Sequence, residues 1–486
     1  MLNPSEKASP ELQNQDDRSS NGHLGFEKGK EKIKEWPQII AIIIGGLGAF
    51  TNGMLFVWTS PFTVKIVNDT EHYQISEEEA SEFTIFPPIG LIASSFFFFK
   101  LVDVIGRKRT VLLLAVPHLT FWTTIIFAKS VYVFYAARFV AGIGDATLFA
   151  SLPIYCGEIS TPKVRGTWGN SVAFFLYGGQ FFINCIGSYL DVRQTAYVCI
   201  GFPVIFIILL SLMPESPYFF IRKGNYEAAK STMKWLRRSE NIDDEFGKMK
   251  TEVERQISES GSWKDLITIP SNRNALIAGV FLRFSQQFCG ITIFSTYSQA
   301  IFEKAGGSVS ASTSAMIFSG LCWGLNFCLF GAVEKFGRRM TYMYSLLSSA
   351  VVLFVVSAYL FIEQHDFFDV SAVKWLPLAG MIVYIFCYSF GLGVVPIIML
   401  GELFSASIKA KALCVLNIVF GLGIFITTYL FHILNNNVGL YCPFVVFSIA
   451  CFISSALTTY FVPETKGKTL DEINQMLKGR SFNANK

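Results

Sequence analysis

About twelve apolar stretches, each near the length of a bilayer-crossing helix, leave this chain very few folds to choose from. They lie near 38–58, 83–102, 110–128, 131–155, 166–188, 195–213, 274–302, 311–333, 341–362, 376–400, 411–434 and 441–462. A helix crossing the hydrocarbon core needs roughly 20 mostly apolar residues, and these runs are too long and too many for soluble cores. Composition agrees: 52% of residues are hydrophobic and 16% charged, against about 25% charged in a soluble domain. Phe alone accounts for 48 residues, as suits side chains facing lipid. The reading is an all-α membrane protein of about twelve transmembrane helices in two six-helix halves, with a small cytosolic helical segment between them. The expected division is a disordered cytosolic tail over 1–36, a first half over 37–217, a helical linker over 218–272, a second half over 273–463 and a cytosolic tail over 464–486.

Loop charge sets the expected orientation, because Lys and Arg are retained on the cytosolic side. One set of loops holds Arg107, Lys108, Arg109, Lys163, Arg165, Lys335, Arg338, Arg339, Lys409 and Lys411; the other holds only Lys65, Lys129, Arg193, Lys304 and Lys374, with the acids Glu77, Glu78, Glu79 and Glu82. Both termini are therefore expected in the cytosol of a multi-pass plasma-membrane protein. Asn68-Asp69-Thr70 is a glycosylation sequon in the first outside loop. Within the linker, Tyr226 to Arg237 reads as an amphipathic helix with Ala229, Met233 and Leu236 on one face, and Asp243 to Gln256 as a second, charged helix.

Other chemistries find no support. The net charge of +4 is too small for a nucleic-acid partner. The ten cysteines lie in or beside apolar stretches without a C-x-x-C pair, so they are read as packing residues. There is no phosphate-binding G-x-x-x-x-G-K-[ST] loop and no H-E-x-x-H site. His118 and His432 stand alone in apolar surroundings. No enzyme activity, cofactor, metal or obligate protein partner is expected; the partners are the bilayer and a small solute.

The two halves repeat each other. Asp103-Val-Ile-Gly-Arg107-Lys-Arg follows the second stretch, and Glu334-Lys-Phe-Gly-Arg338-Arg follows the eighth. Glu158 precedes Arg165 by seven residues after the fourth, as Glu402 precedes Lys409 after the tenth. Glu215 and Glu464 each close a half, in Pro-Glu-Ser-Pro and Pro-Glu-Thr-Lys. Such halves mark a large carrier fold. The spacing suggests that carboxylates at helix ends pair with bases of the following loops, forming a cytosolic gate of Asp103, Arg107, Glu158, Arg165, Glu215, Glu334, Arg338, Glu402, Lys409 and Glu464. A pair of this kind is worth ~0–1 kcal/mol alone, and a network closing together shifts a two-state balance further.

These strings, with Arg138-Phe-Val-Ala-Gly142-Ile-Gly144 and Gln286-Gln287-Phe-Cys-Gly290-Ile291, resemble the major facilitator superfamily and within it the sugar porters. The string around Gly401-Glu402 looks most like insect facilitated trehalose transporters. The resemblance implies a facilitative carrier of a hexose or trehalose-like sugar working by alternating access, in which Gln286 and Gln287 hydrogen-bond sugar hydroxyls. Thr292 and Tyr297 follow on the same stretch, and their offsets place Gln286, Gly290 and Tyr297 on roughly one helix face. The chain departs from the family pattern at Thr292, Ala173, Ile397, Gly421 and Phe99.

Arg138, Asp145 and Arg283 are charges inside apolar stretches, and such charges default to pairing or function. Arg138 matches the family's arginine, and Asp145 and Arg283 either pair across the halves or face a polar cavity separately. The first stretch, around Thr51-Asn52, holds no acid, which favours facilitated diffusion. Asp145 keeps proton-coupled sugar symport open; Arg283 keeps open another small polar or anionic solute, and a transport-inactive sensor stands behind both.

Overall fold

The computed structural model describes residues 34–258, 261–329, 336–468 and 470–479. The expected tail over 1–36 lies outside these residues except for its last three, as do Glu334 and the end of the chain beyond Gly479. Twelve long helical tracts dominate: α1 Trp36–Asn68, α2 Glu77–Ile105, α3 Arg107–Phe127, α4 Val131–Ile159, α5 Ser171–Tyr189, α6 Val192–Ser211, α7 Pro270–Phe288 with its continuation over 291–304, α8 Ala311–Cys328, α9 Arg338–Gln364, α10 Leu376–Glu402, α11 Ser407–Asn437 and α12 Tyr441–Phe461. Helices satisfy their backbone N–H groups internally beyond the first turn, as an apolar solvent demands.

Nine of these are long and apolar enough, by length and composition, to cross a membrane among the described residues. The three that fall short are α5, α7 and α8. The reason is their polar content: Gln180 and Asn184 on α5, Asn274, Ser285, Gln286 and Gln287 on α7, and Ser314, Ser319 and Asn326 on α8 are all buried. These helices spend their polar residues inward, towards one another and the centre. Phe96, Phe97, Ile208, Phe354, Phe452 and Tyr460 on the other helices point outward and are more than half exposed, as a lipid-facing surface requires.

Each half has its own apolar core. In the first half Trp58, Phe62, Phe83, Phe121, Trp122 and Phe134 pack at one end, while Leu114, Leu152, Tyr155 and Phe206 pack at the other. The second half builds one continuous core around Phe294, Tyr342, Tyr384 and Phe447. The halves meet along α2 against α11 and α5 against α8. The linker forms helices at Tyr226–Arg237 and Asp243–Ser258, the first capped by the Asn225 side chain accepting from the Ala228 N–H at 3.1 Å. Its Ala229 and Met233 are buried against Ile221, Phe246 and Val253, as its pattern predicts. Buried Arg237 donates to the Ile159 carbonyl at 2.9 Å and pairs with Glu245 at 2.9 Å, fixing the linker to the end of α4.

Candidate functional site

The end of the bundle where α1 begins carries the Gly-Arg loops and is called here the basic end; the opposite end is the far end. At the basic end the sequence repeat becomes a repeat of geometry. Arg107 pairs with Glu158 at 2.9 Å, and Arg338 pairs with Glu402 at 3.0 Å. Ser216 donates to the Glu158 oxygen that Arg107 approaches most closely, and Thr465 donates at 2.5 Å to the Glu402 oxygen opposite the one Arg338 holds. Glu215 accepts from the Arg107 and Lys108 N–H groups at 3.0 and 2.9 Å. Glu464 does the same for Arg338 and Arg339 at 3.0 and 3.1 Å. Each acid thus sits on the open N–H groups that begin α3 or α9, where helix ends favour negative charge.

This explains the glycines of both motifs. Gly106 and Gly337 turn with φ of +108° and +87°, and a Cβ on either would meet the carboxylate of Glu215 or Glu464 at 2.4 or 2.9 Å. Asp103 pairs with Arg107 at 3.2 Å and also with Arg222. The sequence spacing suggested a pairing of Glu158 with Arg165 and of Glu402 with Lys409, and neither forms. Arg165 turns back to the Gly157 carbonyl at 2.5 Å and Lys409 to the Gly401 carbonyl at 2.8 Å. The carboxylates are already taken by arginines that reach them from α3 and α9, where burial strengthens the pair. Both networks therefore close within their own half. Among the described residues no hydrogen bond or ion pair joins the 153–168 segment to the 396–411 segment, and Arg165 lies close enough to Lys409 for the two charges to repel.

The far end is tied across the halves. The Thr59 hydroxyl donates to the Thr296 carbonyl at 3.0 Å, and the Ser60 and Ser298 hydroxyls meet at 2.7 Å. Tyr297 donates to the Ser81 carbonyl at 2.6 Å and bonds the Thr84 hydroxyl. Ser81 reaches His432 Nδ1 at 2.8 Å, and Lys304 pairs with Glu77 at 2.6 Å.

Tyr297 reaches this belt because α7 is broken. Gly290 turns with φ +86° and a second turn falls at Tyr297 itself. Gln286 and Tyr297 therefore do not share the face of one continuous helix. A left-handed glycine resets the helical phase that the offsets assumed. Gln286 donates to the Leu392 carbonyl at 2.9 Å and faces Arg283 at 3.3 Å. That carbonyl belongs to a π-helical turn, Tyr388–Leu392, inside α10, a feature frequent at functional sites. Gln287 accepts from Thr292 at 2.6 Å and lies against Gly423 of α11.

Between the two ends Phe56, Thr84, Arg138, Asp145, Thr292 and Thr296 border a cavity of about 20 Å³. That is room for one water and far too little for a sugar. Arg138 is pinned by the carbonyls of Phe83 and Leu55 at 3.1 and 2.5 Å, tying α4 to the bend of α1 and the start of α2. Asp145 accepts from Asn52 at 2.7 Å, whose carbonyl oxygen meets His118 Nε2 at 3.2 Å. Arg283 stacks over Phe420 at 4.8 Å, and no ion pair joins it to Asp145 among the described residues.

Sequence reading missed Asn52, Ser60, Asn184, Thr296 and Ser298, all buried polar groups in the inter-half contacts or at the centre. Their signal was present: polar residues recur within otherwise apolar stretches, and membrane interiors do not leave such groups unpartnered.

The family profile described as sugar (and other) transporter matches residues 42–477. Among curated proteins the chain is similar to the facilitated trehalose transporter Tret1 of Polypedilum vanderplanki, with 31% identity over 92% of this chain and 89% of the relative. It is 29% identical over the same share to Tret1 of Drosophila virilis, of whose length it spans 49%. Among solved structures it is similar to the proton:xylose symporter XylE bound to 6-bromo-6-deoxy-D-glucose, with TM-score 0.73 at 20% identity over 90% of this chain and 99% of that one. An inward-open XylE from E. coli gives TM-score 0.73 at 18% identity, covering 90% and 99%. At such identity the likeness establishes the major facilitator fold and nothing finer. With the family profile spanning nearly the whole chain and the repeated networks in place, this multi-pass membrane protein belongs to the sugar (and other) transporter family.

Proposed function

We propose that this chain carries a neutral sugar, a hexose or a trehalose-like disaccharide, down its gradient across the plasma membrane by alternating access. The basic end lies in the cytosol with both termini and the linker, and the far end lies outside. In this conformation the carrier faces inward. The observation that carries the reading is the asymmetry of the inter-half bonds: a belt of several at the far end, against the Asn417–Ser95 bond on the basic side of the centre. Turnover then breaks the belt and brings the basic ends together, while the two internal charge networks keep each half rigid.

Gln286, Gln287 and Thr292 are the sugar contacts on the second half. An amide supplies both a donor and an acceptor, as a hydroxyl does. Their present partners, Leu392 and one another, stand in for a bound hydroxyl and exchange with it. Tyr297 acts at the gate as well as near the site. Asp103, Arg107, Glu158, Glu215, Arg338, Glu402 and Glu464 are the rigid part of the gate, with Arg165 and Lys409 as its moving charges. Asn68, exposed at the far end, is the glycan acceptor.

Uptake of labelled trehalose and glucose into vesicles containing the protein tests this directly. Uptake that equilibrates, saturates and is indifferent to a protonophore is the expected result. Uphill accumulation abolished by a protonophore would overturn facilitation and favour symport, with Asp145 as the proton site; its burial beside Asn52 and Arg138 is the observation behind that second reading. Cysteines placed at Glu77 and Ser258 test the orientation. Labelling of the first and not the second by an impermeant reagent on intact cells is expected.

A further inference from the structure

Beyond the belt, at the far end, lies a second cavity that the transport cycle just described does not use. Its volume is about 580 Å³, within the ~300–1,000 Å³ of small-molecule sites. It is built by both halves: α1 and the start of α2 from the first, the 297–304 segment and α11 from the second. We propose that this vestibule is an external binding site for neutral sugar, distinct from the central one and open while the carrier faces inward. The proposal rests on the sugar-carrier reading above and adds a site to it.

Three features specify the ligand. Tyr297 and Phe431 pack with ring centroids 5.0 Å apart and their planes tilted by 35°, and border the cavity, giving an apolar face to the C–H side of a pyranose. Asn435, Asn436 and His432 add donors and acceptors around it. The charge balance excludes anions: Glu77, Glu78 and Glu303 border the cavity against the single cation Lys304, which is already paired with Glu77. The ligand is therefore a neutral polyhydroxylated molecule and not a sugar phosphate.

The vestibule also has a mechanical consequence. Tyr297, Ser81 and His432 belong both to its wall and to the belt. Opening the belt joins the vestibule to the centre, so a sugar held there is delivered to the central site instead of being captured afresh from dilute solution.

Asn435→Leu tests the site by removing an amide from its wall at similar side-chain size. Uptake from outside should show a half-saturation two- to tenfold higher, the range expected for one lost neutral hydrogen bond. The maximal rate of uptake should not change, and the ratio of maximal rate to half-saturation for exit should fall by the same factor, as a downhill carrier requires in both directions. Asn436→Leu should act in the same direction. All measurements use an Asn68→Gln background, so that the chain's own glycan cannot occupy the cavity.

A second experiment needs no transport. Ser60→Cys with Ser298→Cys, joined as a disulfide, locks the belt shut. Ala300→Cys in that protein then reports on the vestibule through its reaction with an impermeant maleimide, against the same protein without that cysteine. External trehalose or glucose, whichever the unlocked protein transports, should slow labelling at least threefold, and glucose 6-phosphate should not. No slowing in the locked protein, with uptake intact in the unlocked one, overturns the vestibule site alone. Equal slowing by glucose 6-phosphate overturns its neutral-sugar specificity. If the unlocked protein transports neither sugar, the carrier reading fails as well, and the uptake measurement separates the two failures.

Discussion

Tyr297→Phe should unlock the far end. The hydroxyl bonds the Ser81 carbonyl at 2.6 Å and the Thr84 hydroxyl, both on the opposite half. The ring itself stays useful, because phenylalanine keeps the packing on Phe431. Ser81 also keeps one donor, since Thr84 reaches the same carbonyl at 3.2 Å. The loss is thus two neutral bonds with partial compensation, about 1–2 kcal/mol at the usual net value per bond. That cost falls on the closed belt only, because in the open state water solvates the hydroxyl. The ratio of open to closed should rise about 5- to 30-fold.

A cysteine at Ile424, which borders the small central cavity, measures this population. Its labelling by an impermeant reagent from outside is proportional to the open fraction while that fraction is small. The substitution should accelerate labelling by the same 5- to 30-fold, with no change at a control cysteine at the exposed Glu71, outside the belt. An acceleration below twofold, with the protein present at the surface, would mean that Tyr297 packs at the belt without holding it.

The two charge networks should differ in what they contribute. Arg107 is nearly buried at 4% exposure, whereas Arg338 is at 13% and Glu402 at 28%. Breaking a buried pair leaves an uncompensated charge, worth ~3–5 kcal/mol when burial is complete. Glu158→Gln should therefore lower the melting temperature of detergent-purified protein more than Glu402→Gln does; an equal or reversed order would refute the argument from burial. Gln287→Ala should weaken sugar affinity by a few-fold to about tenfold, one hydrogen bond to a neutral hydroxyl, and lower the melting temperature, because it strands the buried Thr292 hydroxyl. Gln286→Ala should weaken affinity similarly and also lower the melting temperature, because it strands the Leu392 carbonyl; equilibrium binding and thermal unfolding on both variants check the pair. Arg165→Ala removes one member of the repelling pair at the basic end, so uptake should slow at constant surface level as the inward-facing state loses preference. Unchanged turnover would reduce Arg165 to a topology signal.

The spans, the six-and-six division and the position of the linker were legible because they rest on hydropathy, which acts locally and additively along the chain. The repeat was legible too, since Gly-Arg, Glu and Pro-Glu recur in the same order in both halves. The partners within the repeat were not. Spacing offered Glu158 to Arg165, and the fold gave it to Arg107, because α3 and α4 bring those groups together from 51 residues apart. Helical offsets likewise placed Gln286 and Tyr297 on one face, until Gly290 turned left-handed and sent Tyr297 to the far end. The far-end belt was hidden altogether: its donors and acceptors are ordinary serines and threonines on opposite halves, more than two hundred residues apart in Ser60 and Ser298. Solvent preference writes itself into each stretch of sequence separately, so the sequence determined which segments lie in the membrane. Which polar group meets which depends on how helices cross and where they break, and that was decided only when the two halves came together.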